Sequence, residues 1–115
     1  MSNLTTNELV GELQRLCSRI EGLVTELRVD AAASAVCEHS YRVSKAVSMA
    51  STSGALSTRE AVAMADPTVA SAHFAHITAK SKAEVTKDAL FAARAQLSAW
   101  QSIAQAVRAE MELAR

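Results

Sequence analysis

The stretch Glu8–Arg28, ELVGELQRLCSRIEGLVTELR, decides the fold. Leu9, Leu13, Leu16, Ile20, Leu23 and Leu27 recur in it at alternating spacings of four and three residues. On a helix of about 3.6 residues per turn that spacing draws one apolar seam along one face, whereas a strand repeats every second residue. Val10, Cys17 and Val24 each follow a seam residue and widen the apolar face, which predicts contact with more than one neighbouring helix. Just upstream, Thr5 and Glu8 have the spacing of a capping box, in which each side chain takes the other's orphan backbone N–H, so the helix is expected to start near residue 6.

Working towards the C-terminus, the apolar residues change row after Val29. Ala33, Val36, Val43, Val47 and Ala50 form a second stripe, and Asp30–Ser34 reads as a stutter or kink. Nothing there stops a helix, so the first helix is expected to cover about 6–50. Ser51-Thr52-Ser53-Gly54 then reads as a cap and turn over 51–57. Ser57 with Glu60 repeats the capping-box spacing and predicts a short helix at about 58–65. Asp66-Pro67 places an N-cap residue before a proline at the first helical position, opening a last helix over about 67–115. Its seam is the longest in the chain: Val69, Ala72, His76, Ala79, Ala83, Thr86, Leu90, Ala93, Leu97, Trp100, Ala104, Val107, Met111 and Ala114.

Composition agrees with an all-α chain. The 115 residues suffice for a single helical domain, three Gly and one Pro leave few turns for a β-rich fold, and 50% of the residues are hydrophobic. Much of that apolar share is alanine, the best helix former and the poorest at filling a core. Two long helices of similar length joined by a short connection are expected to fold back antiparallel, with the Ala-rich halves facing each other beside the turn. Such a hairpin leaves wide apolar faces in water, and self-association is the expected remedy. The expected oligomer interface is Leu9, Leu13, Leu16, Ile20, Leu23, Leu27, Leu90, Leu97, Trp100, Val107 and Met111.

No residue pattern points to catalysis. The sequence has no Gly-rich phosphate loop, no paired metal-ligand cysteines and no nucleophile elbow, so the chain is not expected to be an enzyme or to hold a cofactor or metal. His73 and His76 share a face and read either as half of a metal site or as polar positions in a helical interface. Cys17 and Cys37 would lie about 30 Å apart along one helix and are expected to be reduced thiols, an intermolecular disulfide being the alternative. Residues 1–8 show no signal peptide, no apolar run reaches membrane-span length, and a cytoplasmic, membrane-free protein is expected.

Charge is more informative. The net charge is zero, so any attraction to nucleic acid must be local. Lys80, Lys87, Arg94, Arg108 and Arg115 occupy one heptad position beside the last seam, with Gln101 in the gap. The row reads either as a flank pairing with acids such as Glu12 and Glu26, or as a ladder tracking phosphates at about 10.5 Å per heptad. Arg42 and Lys45, with Arg59 past the turn and Tyr41 able to stack a base, form a second basic group. The candidate nucleic-acid-binding residues are Arg42, Lys45, Arg59, Lys80, Lys87 and Arg94. Trp100 reads as a core anchor or an exposed docking residue, and Phe74 and Phe91 lie off the seam.

Over Glu84–Arg115, above all Arg94–Ser102 and Ala106–Glu110, the chain resembles small helical proteins of tailed phages. The order of its elements resembles the phage recombination mediators of the UvsY family: an N-terminal helix, a basic stretch ending at Ser53-Gly54, a short helix and a long C-terminal helix. That family's basic stretch is denser, whereas here Ser44, Val47 and Ser48 separate or follow the charges. The resemblance implies a closed homo-oligomer in a bacterial host that binds single-stranded DNA and assists a recombinase. The alternative is a protein–protein module without nucleic acid, either an assembly adaptor or an inhibitor of a host defence protein, using the Leu face of residues 9–27.

Overall fold

The computed structural model describes residues 5–114, and Arg115 of the basic row lies outside them. Three helices, α1 (Thr6–Ala50), α2 (Leu56–Ala65) and α3 (Pro67–Leu113), make up the described chain, which contains no strand among the described residues. α1 starts on the expected capping box: the Glu8 N–H donates to Thr5 Oγ1 at 3.1 Å and the Thr5 N–H to Glu8 Oε2 at 3.2 Å. At its other end the hydroxyls of Ser51 and Thr52 donate to the carbonyls of Val47 and Ser48, filling two of the acceptors that a helix terminus leaves open. Gly54 then turns the chain at φ 118°, a conformation that a β-carbon disfavours.

α2 begins earlier than the sequence predicts. Its N-cap is Ala55, without a side-chain cap, so Ser57 lies inside the helix rather than capping it. Gly54 already reverses the chain, and the helix resumes directly behind it. Asp66 fulfils its expected role: its Oδ1 accepts the Thr68 N–H at 2.9 Å, ahead of Pro67 at the first position of α3.

Contacts group the chain into two units, Met1–Glu26 with Thr86–Arg115, and Leu27–Val85. In the first, Leu9, Leu16, Leu23, Leu90 and Ala93 are buried, and Leu16 is fully enclosed. Leu9 and Leu13 share a groove with Ala104, Val107 and Met111, whereas Glu12 and Arg15 share one with Gln96 and Trp100. Rising α1 numbers meet falling α3 numbers, so the helices are antiparallel. In the second unit Ala63 and Val69 are buried, and Asp30, only 3% exposed, meets Lys82 Nζ at 3.2 Å. Tyr41 packs its ring on His73, with centroids 4.6 Å apart.

The expected change of row after Val29 does not occur. α1 passes through Asp30 as an uninterrupted helix. It buries Asp30 and half-covers Ser34, Cys37, Tyr41, Ser44 and Ser48, which continue the four-three register of Leu9–Leu27, with Glu38, Lys45 and Met49 half-covered beside them. Val36 and Val47 are 66% and 61% exposed. The buried Asp30 and the half-buried Tyr41 of this row are supplied with partners: Asp30 has Lys82, and Tyr41 has His73 and Met64. Hydrogen bonding and ring packing offset the desolvation that would otherwise favour turning the valines inward.

Gly11 and Gly22 lie in the body of α1, and a β-carbon at either would meet nothing within 4 Å. Gly11→Ala and Gly22→Ala should each stabilise the fold by about 1 kcal/mol by removing glycine's excess unfolded-state freedom. Thermal melts followed by circular dichroism should rise by about 5 °C per substitution; a fall at either position would show that its missing side chain is needed.

Candidate nucleic-acid interface

The α3 seam buries one side of that helix and so fixes what its flanks present. Val69, Thr86, Leu90 and Ala93 are buried, and Leu97, Trp100, Ala104 and Val107 are half-buried. Lys87, Arg94 and Arg108 follow seam residues by one and emerge together along one flank, all exposed. Phe91, one turn from both Lys87 and Arg94, is 53% exposed on the same side, and the Lys87 ammonium lies 5.6 Å from its ring centre. Towards the C-terminus the face continues through Gln101 and Gln105 to Arg108 along a shallow groove.

This row lacks acidic partners. Glu12 pairs with Arg15 of its own helix at 2.8 Å, and Glu26 borders a groove with Arg19 and Gly22. Both acids come three residues after a seam leucine, which puts them on the other flank of the helix pair. Among the described residues Lys87, Arg94 and Arg108 form no ion pair. The flanking-pair reading of the ladder therefore has no counterpart among the described residues.

The basic residues of the other unit are differently placed. Arg42 is paired with Glu38, Lys45 is half-buried along α1, and the buried Arg59 Nε on α2 has no hydrogen-bond partner. Lys80 is exposed on α3 and unpaired among the described residues. Tyr41 is not free to stack a base: it is half-buried between His73 and His76, and its hydroxyl lies 3.8 Å from Met64 Sδ. The histidines are thus packing partners of an aromatic ring, and no group of three His, Cys, Asp or Glu among the described residues is arranged to hold a metal.

No known protein family, characterised protein or solved structure matches the chain. The candidate site therefore rests on its own geometry. Of the residues expected to join copies, Leu9, Leu16, Leu23 and Leu90 are covered within the chain; Leu13, Ile20, Leu27, Leu97, Trp100 and Val107 are half-covered; Met111 is 58% exposed. Trp100 borders a groove of 650 Å³ whose charged lining includes the Glu12–Arg15 pair. No helix among the described residues is long and apolar enough to cross a membrane. The spacing of Phe91, four from Lys87 and three from Arg94, is the sequence signal that places it on their side of α3.

Proposed function

We propose that this chain is a non-enzymatic accessory protein that binds single-stranded DNA along α3 and assists a recombinase in the bacterial cytoplasm, working as a homo-oligomer. The observation that carries the reading is the row Lys87, Arg94 and Arg108, exposed, without acidic partners, and interleaved with the exposed ring of Phe91. Cations spaced one and two heptads apart along one flank of a helix attract a phosphate backbone, and an aromatic face between the first two accepts a base of any identity. The absence of sequence readout suits a protein that handles whatever strand is exposed. The resemblance of its element order to that of phage recombination mediators supports the same reading. The alternative of a protein-binding module draws on the apolar groove formed by Leu9, Val10, Leu13, Val107 and Met111.

Fluorescence anisotropy with a labelled oligonucleotide separates the two. Three phosphate contacts give a slope of roughly −2 in log affinity against log salt, so binding should weaken about 16-fold between 50 and 200 mM salt. Absence of binding at 50 mM salt and micromolar protein removes the DNA reading and leaves the protein-binding module.

A further inference from the structure

The second half of α1 carries an apolar row that the chain leaves uncovered. Val29, Ala33, Val36, Ser40, Val43 and Val47 alternate by four and three residues, the spacing with which one helix receives another. Val29, Val36 and Val47 are each more than 60% exposed, and Val43 is 46% exposed. No acid or base belongs to the row, and the positions bordering it on the solvent side are Ala32, His39 and Ala46. It therefore offers nothing to a phosphate backbone or a charged peptide, and its natural complement is an uncharged helix with the same spacing.

We propose that this row joins two copies of the chain, α1 against α1, antiparallel about a twofold axis beside Glu38. Val29 then faces the partner's Val47, Ala33 faces the partner's Val43, and Val36 faces the partner's Ser40. With their symmetry mates these make six layers, each holding at least one valine, and the four inner layers set a valine against a small residue. A parallel pair in register would instead stack Ala33 on itself and Ser40 on itself, leaving two thin layers. The antiparallel pair also brings the partner's Val29 onto the valine edge, Val43, Val47 and Val62 of α2, of a groove whose far side is polar and includes Asp66. The row is about 27 Å long, short for a permanent dimer, so the pairing is a reversible, concentration-dependent equilibrium.

This inference rests on the proposed function only for self-association. Light scattering without DNA, from 1 to 200 µM on the order of a standard dilution series, should show the mass rise from 12.2 kDa towards twice that value. Val36→Glu combined with Val43→Glu should stay at 12.2 kDa with unchanged helical circular dichroism, since both side chains are exposed in the single chain. A wild type that remains monomeric, or a double variant that associates as strongly, overturns the proposal. For direction, Val29→Cys and Val47→Cys chains, each also carrying Cys17→Ala and Cys37→Ala, are mixed and oxidised with diamide. The expected product is the mixed 29–47 disulfide, at roughly tenfold excess over either homodisulfide because only that pair shares a layer; a majority of homodisulfides overturns the antiparallel arrangement. A monomer that still binds DNA overturns this pairing alone, and a dimer that ignores DNA overturns the DNA reading alone.

Discussion

Leu16→Ala should cost about 3 kcal/mol of folding stability and lower the melting temperature by roughly 12–15 °C. Leu16 is fully enclosed, and the apolar residues buried around it in its unit are few: Leu9, Leu23, Leu90 and Ala93. A helix pair lined this thinly cannot shift a spare side chain into the gap, so the truncation combines lost transfer energy with a lasting cavity. Val85→Ala is the matched control, because Val85 is 68% exposed and its loss should change stability by less than about 0.5 kcal/mol. Urea denaturation monitored by circular dichroism measures both. Similar midpoints for the two variants would mean that the leucine row does not hold the fold.

Changing Lys87, Arg94 and Arg108 together to Glu should lower single-stranded DNA affinity by at least about 100-fold at 50 mM salt and abolish most of its salt dependence. All three side chains are exposed and none belongs to an ion pair among the described residues, so the helix content should not change. Phe91→Ala tests the other half of the site. Removing a stacking ring should weaken binding about tenfold while leaving the salt slope intact, because no charge is lost. Equal losses for charge reversal and for a control reversal at Arg15, which already has Glu12, would show that the row has no special standing.

Much of the architecture was legible in the sequence because leucine repeats and caps leave little choice. Leu9–Leu27 could form one seam only, Thr5 with Glu8 fixed where it began, and Asp66-Pro67 fixed where α3 began. The second half of α1 departs from its apolar pattern for a physical reason. Apolar periodicity marks a face that could be buried, and Val29–Val47 is the more apolar of two candidate rows. The row that is buried pairs Asp30 with Lys82 and Tyr41 with His73, and such partners become visible only when α3 is laid alongside. The basic row on α3 was legible from its seven-residue spacing. That it forms no pair with α1 was less so, since it requires placing Glu12 and Glu26 on the opposite flank.

A heptad seam is, taken alone, ambiguous by seven residues: slide one helix along the other by a full repeat and leucine still meets an apolar neighbour. Asp30 ends that freedom. Displaced by one repeat, its carboxylate would sit about 10 Å from the Lys82 ammonium, and a buried charge parted from its partner is expensive. A single acid in the middle of α1 thus acts as an alignment pin, disfavouring slipped pairings that the repeating side chains alone would tolerate.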